Sequence, residues 1–224
     1  MFKLSAGNTK MHKLASMLGL SKAQVASADL PCGYTCPCAN ICKAYAHPET
    51  GKIIDGKDMK FRCYGASIEC MYKSARALHW NNFNLVRDAD TVGGMADVLL
   101  DAISPKIKIL RVHSFGDFFN ETYFNAWVAV AEKLPNLSIF GYTKVLPYVK
   151  APKPDNFALQ YSHGGILDEY LTDEPTAYIV RSKAEAQSKG IELSCQNHPA
   201  DDYTFILNKK SFGLLLHGTQ PKRT

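Results

Sequence analysis

The chain of 224 residues is 46% hydrophobic, 21% charged and 11% aromatic, which is the composition of a globular protein and excludes disordered and fibrous classes. This length fits one well-filled core, so we expect residues 1–224 to form a single domain. The formal charge is +5, and residues 1–112 hold 15 Lys and Arg against 9 Asp and Glu. Because no basic run is longer than Lys209-Lys210, the charge supports nucleic-acid binding only weakly.

The hydropathy of the chain predicts a cytoplasmic protein with no membrane partner. No apolar run approaches the roughly 20 residues that span a bilayer, and the amino terminus lacks the apolar stretch of a signal peptide. In a reducing compartment, seven cysteines remain thiols. Crowded thiols there favour metal binding or catalysis over disulfides.

Three segments have the apolar spacing of helices. They are residues 71–90, 94–103 and 121–133, and Asn120 offers an N-cap for the third. A Pro-rich stretch at 151–155 predicts a rigid loop within the domain.

Short apolar runs of strand length alternate with these helices. The predicted strands are residues 107–112, 137–142, 157–161, 177–180, 191–194 and 212–216. Runs this uniformly apolar are typical of parallel strands covered by helices. The fold class is therefore α/β, as a barrel or an open sheet.

Most of these predicted strands are followed directly by polar residues. The candidate ligand-binding residues are Ser114, Gly116, Asp117, Lys144, His163, His198 and His217, and His113 stands beside them. The carboxyl ends of parallel strands meet at one face of the sheet, so these residues could share a pocket. The alternative is that connecting loops are polar in any protein.

The cysteines are concentrated near the amino terminus. Four lie within eleven residues and two follow: Cys32, Cys36, Cys38, Cys42, Cys63 and Cys70; Cys195 stands apart. Thiolate ligands favour zinc, copper(I) or an iron-sulfur cluster. Structural zinc sites usually contain Cys-x2-Cys pairs, which are absent here, so zinc is disfavoured but stays open. Irregular loops with several cysteines are typical of cubane clusters.

Motifs along nearly the whole chain form one further pattern. They are Gly7-Asn8-Thr9-Lys10, Thr35-Cys36-Pro37 with Ala39 and Cys42, Phe61-Arg62-Cys63-Tyr64, His113-Ser114 with Gly116-Asp117-Phe118-Phe119, Tyr142-Thr143-Lys144, and Leu216-His217-Gly218-Thr219-Gln220. Together they resemble the bacteriophage protein family called gene product 88. The resemblance implies Cys36, Cys42 and Cys63 as ligands of a 4Fe-4S cluster, and it demands no cysteine at positions 32, 38, 70 or 195.

More distantly, the chain is similar to radical S-adenosylmethionine (SAM) enzymes. In those enzymes three cysteines hold a 4Fe-4S cluster at the mouth of a partial (β/α) barrel, and the fourth iron binds SAM. The usual spacing there is Cys-x3-Cys-x2-Cys. This chain matches the first half with Cys32 and Cys36, but Ala39 stands at the third position. The resemblance implies a radical-SAM-like partial barrel with an amino-terminal cysteine-rich loop.

The same resemblance suggests roles for the strand-end residues. Asp117, with Ser114 and Gly116, would bind a cationic ligand group, or Asp117 would start the following helix. Lys144 could bind a carboxylate, and the alternative is a solvated lysine. His163, His198 and His217 could donate protons or supply a fourth cluster ligand, or they could be hydrogen-bonded structural histidines.

These features lead to two functional hypotheses. The first is a phage-type iron-sulfur protein in the host cytoplasm, whose open cluster faces a pocket for SAM or another small ligand. A reductase or other electron donor is then a candidate partner, nucleic acid and membranes are not expected, and enzymatic activity is left open. The second is an interaction or nucleic-acid-binding module that zinc or a cluster stabilises.

Overall fold

The computed structural model describes residues 1–194 and 202–221. Within them, a seven-stranded parallel sheet carries helices on both faces, and a two-stranded antiparallel hairpin lies apart. No helix in these residues is long and apolar enough to cross a membrane.

The elements are numbered in chain order. The strands are β1 (Val25–Ala28), β2 (Ala44–Ala46), β3 (Ile53–Asp55), β4 (Ile109–Val112), β5 (Ser138–Thr143), β6 (Phe157–Ser162), β7 (Thr176–Val180), β8 (Glu192–Leu193) and β9 (Phe212–Leu215). The helices are α1 (Thr9–Met17), α2 (Tyr64–Met71), α3 (Lys73–Ala89), α4 (Val92–Leu100), α5 (Glu121–Lys133), α6 (Leu146–Lys150), α7 (Lys183–Ser188) and α8 (Asp202–Leu207). Single 3-10 turns occur at Lys22–Gln24 and Asp168–Tyr170.

The seven strands lie in the order β1-β4-β5-β6-β7-β9-β8. Every neighbouring pair in this sheet is parallel. Among the described residues β1 and β8 are the two edges, so hydrogen bonding leaves the sheet open. The α/β class with parallel strands is confirmed, whereas the finer partial-barrel form stays a prediction.

One face of the sheet packs against α3, α4 and α5. Leu110, Val112 and Ile139 point to this face and are buried with Phe83 and Trp127 in the larger apolar core. Helix α5 begins where the sequence predicts, because the Asn120 side chain accepts a hydrogen bond from the Tyr123 N–H at 2.8 Å.

Among the described residues, the helices on the opposite face cover its amino-terminal half. There α1 and α8 pack on the sheet, with Met11 and Phe205 against Ile109 and Phe140 in the smaller core. Side chains alternate along a strand, so Arg111, two residues beyond Ile109, points to the same face nearer the strand ends. The carboxyl-terminal half of this face is thus free to form a pocket.

All six predicted strands and all three predicted helices are present, with ends displaced by a few residues, and 151–155 forms a connection as expected. The prediction misses two strand features, β1 and the hairpin of β2 and β3, and five helices, α1, α2, α6, α7 and α8. The run Val25–Ala28 contains a single β-branched residue, Val25, among small residues, yet all four residues are buried. In α3 the buried positions include the polar Arg76 and Asn82, which an apolar pattern cannot reveal.

Candidate functional site

A cavity of about 670 Å³ lies at the carboxyl ends of the parallel strands, on the face that the helices leave open. Its walls come from the cysteine-rich loop, from the start of α2 and from the segments that follow β1, β4, β5 and β9. Convergence of the strand ends at one edge of a parallel sheet produces this arrangement. The cavity therefore contains most of the residues selected from the sequence.

Four of the described cysteines line the cavity, namely Cys32, Cys36, Cys42 and Cys63, whereas Cys38 and Cys70 do not. Cys63 is the N-cap residue of α2. Its pKa is lowered to about 7, first by a hydrogen bond with the Cys32 thiol and then by the N–H groups of Ala66 and Gly65. Backbone N–H groups at a helix start stabilise a thiolate. Cys63 is thus prepared to act as an anionic ligand.

Cys36 and Cys42 are both half-buried and lie in the same neighbourhood. Burial raises both pKa values, and the carboxylate of Asp117 raises that of Cys36 further. Opposing effects come from the Gly33 N–H, which donates to the Cys36 sulfur at 3.3 Å, and from the cationic Lys144 near Cys42. Without an added cation these two thiols are held in the neutral form.

The thiols in the cavity wall are the candidate donors for a metal. As the side chains stand in residues 1–194 and 202–221, no group of three or more His, Cys, Asp or Glu is arranged to hold a metal ion. Electrostatic effects on the pKa of Cys36 and of Cys42 both involve Cys63, so the three thiols share one neighbourhood. Soft thiolates with backbone N–H donors fit the chemistry of an iron-sulfur cluster. The ligand set itself remains a prediction.

Asp117 lies in the cavity wall and ties two strand ends together. Its two carboxylate oxygens accept hydrogen bonds from the backbone N–H groups of Phe118 (2.8 Å) and Lys144 (2.9 Å). Burial raises its pKa to about 6, and these bonds limit the rise. The helix-start role belongs to Asn120 instead, so Asp117 is a buried carboxyl group facing the cavity near Cys36.

Lys144 also lines the cavity, but its ammonium group is already bonded. Nζ donates to the Ser162 carbonyl (2.8 Å), the Ser162 hydroxyl (3.1 Å) and the His163 carbonyl (2.6 Å). An ammonium has three donors, so this set uses all of them. Lys144 therefore anchors the end of β6 and supplies positive charge near Cys42.

The predicted histidines separate into different environments. His217 lines the cavity and lies edge-on to Tyr64, with ring centroids 4.4 Å apart. His163 does not line it, because its ring faces Asp168 at 3.4 Å. His198 lies outside the described residues. Of the two that the structure describes, His217 alone lines the cavity.

His113 also lines the cavity and is almost completely buried. Burial, and next the charge of Arg111, lower its pKa to about 3. Its Nδ1 has no hydrogen-bond partner in the described chain, while Nε2 lies 3.4 Å from the Tyr123 hydroxyl. A neutral ring with an unpartnered nitrogen thus faces the cavity.

Ser114 and the following Phe115 are held by a residue that sequence reasoning missed. The Asp29 carboxylate, directly after β1, accepts hydrogen bonds from the N–H groups of Ser114 (2.8 Å) and Phe115 (3.2 Å). The only sequence signal for Asp29 is a carboxylate at the end of a strand that was itself missed.

A second feature that sequence reasoning missed is a buried pair, Glu69 and His79, which contacts the cysteine-rich loop. Buried Glu69 accepts hydrogen bonds from the Cys32 N–H (3.0 Å) and from His79 Nδ1 (2.6 Å). His79 is thus part of a buried polar pair and also packs on Phe115. This pair fixes where the cysteine-rich loop begins.

Comparison with known proteins places the chain among bacteriophage proteins. A Gene 88 protein of Mycobacterium phage D29 is 32% identical over 111 residues, which are 45% of this chain and 46% of that protein. A Gene 88 protein of Mycobacterium phage L5 is 31% identical over the same shares. The chain therefore spans about half the length of these relatives in the matched region.

No solved structure matches the chain. The radical SAM resemblance accordingly stays a prediction. The family model described as Gene product 88 matches residues 2–223. Because that match includes nearly every residue, this chain belongs to the Gene product 88 family.

Proposed function

We propose that this chain is an iron-sulfur protein in which Cys36, Cys42 and Cys63 hold a 4Fe-4S cluster at the mouth of the 670 Å³ cavity. The observation that carries the proposal is that these three cysteines line one pocket together with polar strand-end residues. Three protein ligands leave one iron of a cubane open toward the pocket. Such a cluster supplies an electron to a ligand bound beside it.

The proposal includes SAM or another small molecule as the ligand. A volume of about 670 Å³ lies within the usual range of pockets for small molecules. The Asp117 carboxyl group offers a partner for a ligand ammonium group, while Ser114 and His217 offer neutral hydrogen-bonding groups. In this reading the sheet acts as a radical-SAM-like partial barrel, and a reductase or other electron donor reduces the cluster.

Metal analysis of the protein purified without oxygen tests the proposal directly. We expect brown protein with absorbance near about 400 nm, about four irons and matching sulfide. Colourless protein with one zinc per chain would contradict the cluster and support the alternative described below. The EPR spectrum of the reduced protein should change on addition of SAM if the open iron binds it.

Alanine substitutions separate the three proposed ligands from the other thiols. Replacing Cys36, Cys42 or Cys63 should abolish iron retention, whereas Cys38→Ala and Cys70→Ala should retain it, since these two do not line the cavity. Iron content per folded chain is the measurement, with circular dichroism as the check on folding. Equal iron in all five variants would refute the assignment.

One observation keeps the zinc alternative open as a second candidate. The Cys32 thiol is hydrogen-bonded to Cys63, which brings a fourth soft donor next to the proposed ligands. Four thiolates around one ion form a closed structural zinc site. Cys32→Ala distinguishes the two cases: it should spare a three-cysteine cluster but release zinc from a four-cysteine site.

A further inference from the structure

The floor of the cavity is made by charged residues that the proposed function does not use. Lys10 in α1, Arg111 in β4 and Asp202 at the start of α8 all line it. Lys10 Nζ binds Asp202 at 2.8 Å, and the Ser194 hydroxyl also donates to that carboxylate. These side chains lie above the smaller apolar core, where charged groups are costly unless each finds a partner.

Arg111 is the group without an adequate partner. Its side chain is only 12% exposed, and the nearest carboxylate oxygen to the guanidinium, on Asp202, is 3.8 Å away, beyond hydrogen-bond length. In the described part of the chain Nε has no hydrogen-bond partner. A buried guanidinium N–H that has no acceptor carries a penalty, so the unpartnered Nε shows that Arg111 is short of acceptors.

The surroundings of Arg111 orient it instead of neutralising it. Its guanidinium carbon lies 5.0 Å from the ring centre of Tyr142 in β5, which is a cation–π contact. The one nearby carboxylate, on Asp202, is shared with Lys10. Two cations therefore face one carboxylate at the floor, and the surplus positive charge points into the cavity.

We propose that this floor binds the oxyanion group, a carboxylate or a phosphate, of the small molecule that occupies the cavity. A planar guanidinium matches the two oxygens of such a group and binds it in bidentate fashion. The apolar side chains of Ile179 and Leu214 line the same cavity and would contact the body of the molecule. The substrate class is thus a small molecule with an anionic end. The inference rests on the proposed function only in using the same cavity as the ligand site.

Titration calorimetry with two simple probes, inorganic phosphate and butyrate, tests the proposal on the full chain. We expect one or both to bind, and Arg111→Met to weaken binding roughly tenfold or more, as loss of a charged hydrogen bond does. Binding of phosphate alone assigns a phosphate-bearing ligand, and binding of butyrate alone assigns a carboxylate. Lys10→Met should weaken the same probe, while Arg87→Met on the exposed side of α3 should not.

Folding controls keep the test decisive. Because Arg111 makes no hydrogen bond in the described residues, Arg111→Met should keep or raise the melting temperature. A marked fall in melting temperature would mean that Arg111 is a structural ion-pair residue and would overturn the inference. So would the absence of binding by both probes, or unchanged affinity in Arg111→Met.

Iron content measured on the same samples separates this inference from the cluster proposal. Anion binding by iron-free protein would support the anion-binding inference and leave the cluster unsupported. Iron-loaded protein that binds neither probe would support the cluster and overturn the anion-binding inference.

Discussion

Gly116 shows at the scale of one residue how tightly the strand ends meet the cysteine-rich loop. Its φ angle is +85°, and a Cβ atom placed on it would lie 2.7 Å from the Thr35 hydroxyl and 2.8 Å from the Leu30 carbonyl oxygen. Glycine satisfies both the angle and the close approach. The segment after β4 can therefore lie directly against the loop that carries the cysteines.

Gly116→Ala should destabilise the protein by about 2 kcal/mol or more, since it adds a steric clash to the cost of a left-handed backbone. Gly190→Ala is the matched control, because Gly190 has φ +64° but no atom within 4 Å of the added Cβ. Urea unfolding of both variants measures the difference. Equal losses would show that the contact with Thr35 and Leu30 is unimportant.

His113 makes the stability depend on pH in a direction that follows from its burial. Its pKa is about 3 in the folded chain against an ordinary value of 6.5. Between pH 6.5 and pH 3 the unfolded chain therefore binds a proton at this residue that the folded chain does not bind. The contribution of His113 to stability is fully present above pH 6.5 and falls as the solution is acidified. By pH 5 this group alone should remove about 2 kcal/mol.

His113→Asn removes that proton uptake, and asparagine tolerates the positive φ of +66° at this position. We expect the free energy of unfolding of the variant to fall less between pH 8 and pH 5 than that of the unchanged protein, by about 2 kcal/mol. Chemical unfolding at the two pH values gives the answer. Parallel pH curves would contradict a neutral, buried His113.

At the scale of elements, α5 shows how a cap sets the position of a helix. The Asn120 side chain closes the first turn, and the helix then runs 13 residues along the sheet with Trp127 and Val130 fully buried. The preceding Asp117 joins β4 to β5 through backbone hydrogen bonds. The cap and this carboxylate together direct the chain from the cavity wall back into the core.

Asn120→Ala should cost about 1 kcal/mol of stability, since it leaves the N–H of Tyr123 without its side-chain acceptor. Asn120→Asp should cost much less, because a carboxylate caps equally well and favours a helix start. Thr91→Ala, which removes the corresponding cap of α4, should match the alanine variant within a factor of two. If Asn120→Ala leaves the stability unchanged, packing alone positions α5.

At the scale of the whole molecule, a larger and a smaller apolar core lie on opposite faces of one sheet. The cavity lies on the face with the smaller core, next to that core. The larger core is formed with α3, α4 and α5. The smaller core includes Ile109 of β4 and ends before Arg111 on the same strand. The cysteine-rich loop, the start of α2 and the strand ends all border this space. A bound cofactor here would join parts of the chain that are distant in sequence.

Metal removal should therefore lower the melting temperature of protein that was purified with iron, because a ligand held only by the folded state stabilises it. Cys36→Ala should melt at the same temperature before and after treatment with a chelator, which makes it the control. Differential scanning calorimetry is the measurement. An unchanged melting temperature of the unaltered protein after verified iron loss would contradict this linkage.

The amino-acid sequence by itself determined the α/β class, six strands, three helices and the cap at Asn120. These depend on local apolar spacing and on side chains that act within one turn, so they can be read without knowledge of distant contacts. Parallel strands also bring their carboxyl ends to one edge of the sheet, which is why Ser114, Asp117, Lys144 and His217 line the same cavity.

Only the tertiary structure decided which of these side chains are free to act. The ammonium group of Lys144 donates its hydrogen bonds to Ser162 and His163, and the ring of His163 faces Asp168. These partners come from other strands and loops. Arg111 lies inside an unremarkable apolar run, and its lack of a hydrogen-bond partner depends on where α1 and α8 place Lys10 and Asp202. Long-range packing, which no local pattern encodes, sets those distances and with them the charge at the floor of the cavity.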